Sequence, residues 1–440
     1  MTLFTRPIIL IPFCAALLGA AAVPKATERP ELNLKHYLEY RAEGKITLSC
    51  KEEKSAFVCA SRDQKIVETD EENVTTTAAF KKASLHFNGA LAEALEKTRF
   101  DATMQELEQT EQLRRKYLAS QKPYLAPPAS PLQDALDRAL FGNLEALQID
   151  GLDVATDAPK SHITVKNISY VNAMKRTAKG AAFSERIFGT VSLAYTDAVA
   201  ETEENGSFYR SAPQRLEAWF ETNDSVRADY VGERLERLYT DRTRLPFSGR
   251  FTLKTRYLGN DALGIDLAAD NTNREGDKAS FAFAGELHNA STVFTPARKP
   301  AAPGTPDFLF GFMQWHGTGD GTAYRALLKN DKRFAGYIAQ YDALIRAYFD
   351  KKIKKFAYNA VFSGWIAQAK NAVSATLSGK ADTLDFTVKN RNGLTAMQVF
   401  GMLMQQLTVG PQNPNAPQPD IEKVIADTAA SHFEVEIEAR

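Results

Sequence analysis

The sequence has little cysteine, no excess of either charge and no long apolar run beyond its first residues. Its three cysteines, Cys14, Cys50 and Cys59, are too few for a small disulfide-rich scaffold. Its 54 Lys and Arg residues balance 54 Asp and Glu residues, so the composition gives no electrostatic sign of nucleic-acid binding. No later apolar run approaches the about 20 residues of a membrane-spanning helix. We therefore expect neither a nucleic-acid partner nor an integral membrane span in the mature chain.

Catalytic and cofactor motifs are also missing. The chain has no GxSxG turn, no HExxH helix and no CxxCH haem site. Its six histidines are far apart in sequence, and the oxygen-rich segment 270–277 lacks the closing glutamate of an EF-hand calcium loop. We expect no cofactor and no metal site, and these absences favour a non-enzymatic role over an enzymatic one.

What is present begins with an export signal. A single positive charge, Arg6, precedes an apolar run of signal-peptide length, which is too short to span a bilayer with margin. Ala20 and Ala22 then supply the small residues that signal peptidase requires before its cleavage point. Residues 1–22 are therefore predicted to be a signal peptide, and its removal takes away only the charge of Arg6, which leaves a net charge of −1. The alternative is an uncleaved N-terminal anchor.

Two cysteines remain after cleavage, and they lie on either side of a charged segment. The eight residues between Cys50 and Cys59 allow the two to face each other in a β-hairpin, so we predict a disulfide there. A loop this short adds about 2–3 kcal/mol in the chain-entropy model. A metal or redox site is the alternative, but the spacing is not CxxC. The protein is expected to be periplasmic or secreted, and the low cysteine content favours the periplasm.

Proline-rich segments divide the chain at 123–131, 296–306 and 411–419. Clustered prolines favour extended connectors over helices, so these segments are natural domain boundaries. The sequence therefore predicts three α+β domains after the signal peptide: an N-terminal domain at 23–122 that contains the disulfide hairpin, a middle domain at 130–295 and a C-terminal domain at 307–440.

Within the predicted domains, amphipathic helices precede groups of strands. Ser130, followed by Pro131, has the features of a helix N-cap, and the stretch 247–257 alternates apolar and polar residues with the period of a strand. The stretches 356–366 and 372–377 are also interpreted as strands. Because strands occur in consecutive runs, we predict an α+β fold in which antiparallel meanders pack with long amphipathic helices.

A short string of residues recurs along the chain. Phe247-Ser248-Gly249 and Phe362-Ser363-Gly364 are each predicted to lie in the first strand after a helix. One interpretation is a duplicated helix-plus-meander module, and the other is chance recurrence of three residues.

Aromatic residues follow one face of a long predicted helix in the last domain. We expect three of them, Tyr337, Tyr341 and Tyr348, to contact an apolar ligand together with Trp315. Ordinary core packing of this helix against the following sheet is the alternative.

The segment that follows Trp315 is the most suggestive candidate for chemistry. Its glycines free backbone amides, and His316 and Asp320 supply titratable groups, but it lacks the lysine of a phosphate loop. A turn before the helix is the alternative. The leading hypothesis is a non-enzymatic cell-envelope protein that binds an apolar small molecule or an envelope protein partner. A periplasmic or secreted hydrolase with a site near His316 and Asp320 is the second hypothesis, and a structural or chaperone-like factor is the third.

Overall fold

The computed structural model describes residues 23–70, 73–119, 130–158, 160–174, 189–202, 207–243, 245–290, 306–408 and 420–440. The predicted signal peptide and nearly all of the three proline-rich segments lie outside the described residues. The chain divides into two compact units, Met1–Ala173 and Met174–Arg440. The division into three domains remains a prediction.

The described ranges contain ten α-helices and twelve strands, and the strand pairs within each unit are antiparallel. This confirms the expected α+β fold with antiparallel sheets. Unit 1 consists of α1 (Pro30–Arg41), β1 (Ser49–Glu53), β2 (Ala56–Thr69), β3 (Thr75–Asn88), a short 3₁₀ helix (Gly89–Glu93), α2 (Lys97–Ala119), α3 (Pro131–Asn143), β4 (Leu144–Asp157) and β5 (Lys160–Asn172), and its five strands pair in chain order.

The core of unit 1 lies between its strands and helices. Phe57 and Phe87, paired across β2 and β3, are almost fully buried, as are Tyr37 and Phe100 on the helices. The rings of Tyr37 and Phe100 meet edge to face with their centroids 6.3 Å apart. Apolar residues from both layers are therefore removed from water together, which is the ordinary way in which a helix and a sheet stabilise each other.

The predicted disulfide is confirmed. Cys50 and Cys59 are direct cross-strand partners in β1 and β2, and their sulfur atoms are bonded. The hairpin turns at Lys54 and Ser55, which both have positive φ, of 48° and 64°. Such a two-residue turn matches the twist of the strands and so fixes the register that brings the cysteines together.

The start of α3 is also as predicted. The side chain of Ser130 accepts a hydrogen bond from the backbone N–H of Gln133, and Pro131 is the first helical residue. An N-cap of this kind satisfies a backbone donor that the helix itself leaves unpaired.

Unit 2 also has strands that pair in chain order, here interrupted by helices. Its elements are β6 (Gly189–Thr202), α4 (Ser207–Trp219), α5 (Ser225–Thr243), β7 (Phe247–Gly259), β8 (Ala262–Asn273), β9 (Lys278–His288), β10 (Asp307–Thr318), α6 (Thr322–Asn330), α7 (Lys332–Lys355), α8 (Ala360–Leu377), β11 (Thr383–Asn390), α9 (Ala396–Thr408), α10 (Ile421–His432) and β12 (Phe433–Ala439).

The strands predicted at 356–366 and 372–377 are wrong, because 360–366 and 372–377 lie within α8 and 356–359 form the turn before it. Asn359 caps this helix by accepting a hydrogen bond from the N–H of Phe362. The tripeptide 362–364 is therefore helical, whereas 247–249 is in a strand. The two copies do not occupy equivalent positions, and the duplicated module stays a prediction that this tripeptide does not support.

The helices of unit 2 form a core of their own. Val231 of α5 and Phe334, Ile338 and Tyr341 of α7 are buried together. The partly buried apolar residues packed on this cluster come from α4, α5, α6, α7 and α8, and none comes from a strand. The helical cluster therefore removes apolar surface from water without using the sheet of the same unit.

Candidate ligand-binding face

Seven strands of unit 2 direct their apolar side chains to the same side of the sheet. The registers of β6 to β12 place alternate residues in common rows, because side chains in a strand alternate between the two faces. With strands about 4.8 Å apart, this surface extends for roughly 30 Å across the sheet. We call it the apolar sheet face, and its large members are Val191, Leu193, Tyr195, Phe247, Phe251, Leu253, Tyr257, Leu263, Ile265, Leu267, Phe281, Phe283, Leu287, Phe308, Phe310, Met313, Trp315, Leu384, Phe386, Val388, Phe433, Val435 and Ile437.

Most of these side chains are only half-buried, and Leu263 is the large member with the least exposure, at 2 %. Tyr257 and Trp315 are more open, with 39 % and 37 % of their surface exposed. The opposite side of the same strands is mostly polar, with residues such as Arg250, Asp266 and Glu436, although Leu309 and Phe312 also lie there. An antiparallel sheet of this kind normally covers its apolar side, so a half-covered one indicates a binding surface.

Glycines make room for aromatic rings on the apolar sheet face. A Cβ atom at Gly285 would lie 2.7 Å from the ring of Phe308 and 3.1 Å from that of Phe283. The rings of Phe283 and Phe308 are stacked with their centroids 5.7 Å apart. At Gly317, a Cβ atom would lie 2.5 Å from the indole of Trp315, which therefore extends along its own strand. Aromatic rings thus occupy the space that side chains at Gly285 and Gly317 would fill.

A groove with apolar walls lies where the apolar sheet face meets α9. It has a volume of about 270 Å³, and α9 packs against β10 beside it. The ring of Phe310 lies 6.1 Å from that of Phe433 at the floor of the groove. The lining residues are Phe308, Phe310, Leu394, Ala396, Val399, Phe400, Leu403 and Phe433.

A larger cavity in unit 1 differs in character. Its volume is about 730 Å³, but its walls include Glu28, Glu93, Lys97 and Asp101. Lys97 forms an ion pair with Glu28 there. Open, charged walls of this kind are well solvated, so we do not treat this cavity as the ligand site.

The tyrosines predicted to contact a ligand lie on α7, in the helical layer. Tyr341 is 1 % exposed and donates a hydrogen bond of 2.6 Å to Glu217. Tyr337 packs edge-on against Tyr230, and Tyr348 lies beside Trp219 at a more open part of the helices. Tyr341 has no surface to offer a ligand. Tyr337 and Tyr348 are partly buried, and their contact with a ligand stays a prediction.

Glu217 is the centre of a buried polar cluster in the same helices. Arg227 donates to both of its carboxylate oxygens, from Nε at 2.7 Å and from Nη2 at 2.9 Å. Burial alone would raise the pKa of Glu217, but hydrogen bonds from Arg227, Thr222 and Tyr341 outweigh it and lower that pKa to about 2. Burial, followed by the hydrogen bond to Glu217, raises the pKa of Tyr341. Glu217 and Arg227 are thus fixed as an ion pair, which serves to position the helices.

Trp315, the fourth residue predicted to contact a ligand, lies on the apolar sheet face, in β10. His316 is its neighbour on the polar side, and both belong to the strand and not to a turn. The helix that follows begins at Thr322, with Gly321 at its N-cap.

His316 is paired with a residue that the sequence did not single out. Its Nδ1 lies 2.6 Å from a carboxylate oxygen of Asp385, its direct partner on β11. Ser280 of β9 is its direct partner on the other side. Asp320, by contrast, accepts a hydrogen bond from the N–H of Thr322 at the start of α6. The structure therefore aligns serine, histidine and aspartate in one row across three strands.

Sequence reasoning missed the groove residues contributed by α9. The segment 396–408 carries no charged side chain, and its apolar residues recur at helical spacing. An uncharged amphipathic helix of this kind is the signal by which the groove wall could have been found.

Two kinds of feature are absent from the described ranges. No helix in this part of the chain is long and apolar enough to cross a membrane. Among the same residues, no group of three or more His, Cys, Asp or Glu side chains is placed to hold a metal ion.

Comparison with known proteins gives no assignment, since no family model, no curated protein and no solved structure matches this chain.

Proposed function

We propose that this is a non-enzymatic cell-envelope protein that holds an apolar ligand on the apolar sheet face, with an alkyl part of the ligand in the α9 groove. The observation that carries the proposal is the half-exposed apolar surface across seven adjacent strands. Monomeric proteins rarely leave a large apolar surface open unless it serves an interaction. A protein partner on the same face is the other occupant consistent with it.

The chemistry of the groove favours an alkyl chain. Its eight lining side chains are all apolar, so a polar ligand group would lose its hydrogen bonds with water and gain none. Its volume of about 270 Å³ is slightly below the roughly 300–1,000 Å³ of pockets that enclose a drug-sized molecule. It therefore suits one chain of a larger amphiphile, the rest of which lies along the sheet.

We further propose that the protein acts in the periplasm or is secreted. The predicted signal peptide at 1–22 and the disulfide between Cys50 and Cys59 support this, because structural disulfides persist in oxidising compartments. N-terminal sequencing of the protein from its native host is expected to begin after Ala22. Intact Met1 on the isolated protein would contradict the proposal.

Blocking the groove tests ligand binding. Ala396 lines the groove and is itself exposed, so Ala396→Trp fills the space without opening a cavity elsewhere. Excluding two methylene groups of the ligand weakens binding by at least about tenfold. Displacement of a fluorescent fatty acid from the purified protein measures the change.

The matched control is Ala268→Trp, an exposed position on the polar side of β8. It is expected to bind the fluorescent fatty acid as the unsubstituted protein does. Equal binding by both variants, or an equal loss in both, would show that the groove is not the site.

A hydrolase is the second candidate, and the row of Ser280, His316 and Asp385 favours it. In such a row Asp385 would orient the imidazole, which would accept the Ser280 proton as Oγ attacks an ester carbonyl. The alcohol would leave with that proton, and water would then release the acid. We rank it second because the backbone N–H groups of a regular strand ladder are used in pairing and leave no donor for the oxyanion.

A serine-directed fluorophosphonate probe tests the second candidate. Labelling of the protein that disappears in Ser280→Ala and falls in Asp385→Asn would support a hydrolase. Absence of labelling in the unsubstituted protein would remove it.

A further inference from the structure

Asparagine is followed by glycine at three places in this chain, 88–89, 205–206 and 392–393. The middle pair lies outside the described residues. Glycine has no Cβ atom, so its backbone nitrogen is unhindered and can approach the side chain of the asparagine before it. The structure gives the first and the last of these pairs opposite surroundings.

Asn392-Gly393 is exposed, in the connection between β11 and α9. The N–H of Gly393 has no hydrogen-bond acceptor in the part of the chain that the structure describes. The space around this glycine is also open. Its backbone nitrogen is therefore free to act as a nucleophile.

The side-chain nitrogen of Asn392 contacts an imidazole. Its Nδ2 lies 2.8 Å from Nδ1 of His432, the last residue of α10, and 3.3 Å from the carbonyl oxygen of Ser431. A carbonyl oxygen can only accept, so the atom that faces both groups is the amide nitrogen. His432 thus contacts the group that must leave when this amide is broken.

We propose that Asn392 is a site of spontaneous deamidation in which His432 acts as general acid. The backbone nitrogen of Gly393 loses its proton to solvent and bonds to Cγ of Asn392. The Cγ–Nδ2 bond then breaks, and Nδ2 leaves as ammonia with a proton from the protonated imidazole, which solvent restores. The product is a five-membered succinimide.

Water opens the succinimide at either of its two carbonyl carbons. One opening gives aspartate at 392 and leaves the main chain unchanged. The other gives isoaspartate, in which the main chain runs through the side-chain carbon and is one methylene longer. In both products a carboxylate replaces an uncharged amide beside His432.

Asn88-Gly89 is a matched pair that the fold protects. Oδ1 of Asn88 accepts from the N–H of Ala90 at 2.9 Å, and Nδ2 donates to Glu145 at 2.7 Å. Gly89 begins the short 3₁₀ helix and packs so closely against the backbone of Ser55 that a Cβ atom would not fit. Both ends of this amide are held, so we expect it to persist.

Deamidation at Asn392 affects the α9 groove through Leu394. Asn390 fixes this residue by accepting from its N–H at 3.3 Å and by donating to its carbonyl oxygen at 2.9 Å. Leu394 lines the groove, so an extra methylene before it in the main chain displaces part of the groove wall. This consequence rests on the proposed function, whereas the deamidation itself does not.

Peptide mapping of the full mature chain after prolonged incubation at neutral pH tests the site. Mass spectrometry is expected to show acid in place of amide at 392 and an intact amide at 88. In urea, where the fold protects neither pair, the two should convert at similar rates. An intact amide at 392 in the folded chain, or equal conversion at 88 and 392 before unfolding, would overturn the proposal.

Substitution of His432 tests the general acid. His432→Phe should slow conversion at 392 by about tenfold, less than the roughly 100-fold of a well-placed general acid, because water also supplies protons. The control is His162→Phe, at an exposed position of unit 1, which should leave the rate unchanged. Conversion in His432→Phe at the unsubstituted rate, or faster, would show that the imidazole has no part in the reaction.

Fatty-acid displacement separates this proposal from the proposed function. The incubated protein should lose fatty-acid binding in proportion to the isoaspartate at 392. Asn392→Gln should keep its binding, because the longer side chain closes such a ring poorly. If isoaspartate forms and binding does not change, the link with the groove is wrong and the modification site stands. If Ala396→Trp retains the fatty acid, the groove itself is wrong.

Discussion

The sheets of the two units have similar strands but different surroundings. In unit 1, large apolar strand residues such as Phe57, Phe87, Ile149 and Ile168 are at most 3 % exposed. In unit 2, Leu263 alone among the large members of the apolar sheet face reaches that level of burial. Residue type does not explain the difference, because both sheets alternate phenylalanine and aliphatic residues with polar ones.

The difference lies in what the helices do. Helices of unit 1 complete the core of their sheet, whereas those of unit 2 pack mainly on each other around Phe334 and Tyr341. In unit 2 the helices that pack most closely on strands are α8, α9 and α10, against β10, β11 and β12. A sheet whose helices have a separate core keeps its apolar side for another molecule.

The largest expected loss of stability follows from a substitution in the core of unit 1. Phe87→Ala should lower the free energy of unfolding by about 3–5 kcal/mol, because it leaves a cavity among packed side chains. Phe251→Ala on the apolar sheet face should cost only about 1 kcal/mol, since half-buried residues lose less contact. Urea denaturation of both variants measures this contrast, and equal losses would mean that the two sheets are equally packed.

Removal of the disulfide should have the next largest effect, and only in unit 1. Cys50→Ser with Cys59→Ser lowers the free energy of unfolding by about 2–3 kcal/mol, because the reduced chain has more freedom when unfolded. Hydrogen exchange of peptides from β1 and β2 should report the loss, with peptides from β7 to β9 unchanged. A reductant provides the control, since it should destabilise the unsubstituted protein and leave the double variant as it is.

Acid should act on the helical cluster of unit 2. Hydrogen bonds lower the pKa of Glu217 from 4.5 to about 2 in the folded protein. Its contribution to stability is therefore present above about pH 4.5 and is lost as the pH falls to about 2, at most about 1.4 kcal/mol per pH unit. Glu217→Gln should flatten this slope in denaturation curves, whereas Glu221→Gln, at an exposed position, should not. A slope that Glu217→Gln leaves unchanged would assign the acid response to other carboxylates.

A bound ligand should give the smallest effect and sharpen the comparison most directly. At ten times its dissociation constant, a fatty acid stabilises the folded state by about 1.4 kcal/mol. Exchange should slow in peptides of β9, β10 and α9 and stay constant in β2 and β3. Slower exchange in unit 1 would contradict the assignment of the ligand to the apolar sheet face.

Local patterns predicted those elements whose signals are local. The alternation at 247–257 corresponds to β7, the cap at Ser130 to the start of α3, and the aromatic face with Tyr337, Tyr341 and Tyr348 to α7. The Cys50–Cys59 disulfide was also predicted from a local feature, the eight residues that separate the two cysteines, and a two-residue turn fixes the pairing.

The helix at 360–377 was missed because its Val, Phe, Trp and Ile residues are common in strands, so propensity alone favours the wrong element. The cap at Asn359 and the uninterrupted length of 18 residues are the features that would have identified a helix.

The site depended on contacts that no local pattern contains. The apolar sheet face lacks a covering helix at β7 to β9 because α4 to α7 pack on each other. The pairing of His316 with Asp385 joins residues 69 positions apart, and the groove unites β10, α9 and the start of β12. Sequence reasoning named Trp315 as a ligand contact, which stays a prediction, and had no means to place the surface that surrounds it.

The order of the strands affects how the chain can fold. The hairpins β1–β2 and β7–β8 each close through two residues, Lys54–Ser55 and Asn260–Asp261, all four with positive φ. Short closures of this kind have a low entropic cost and form in microseconds. A polypeptide that emerges with its N-terminus first can therefore complete each hairpin as soon as the second strand emerges, so few unpaired strand edges are left open to aggregation.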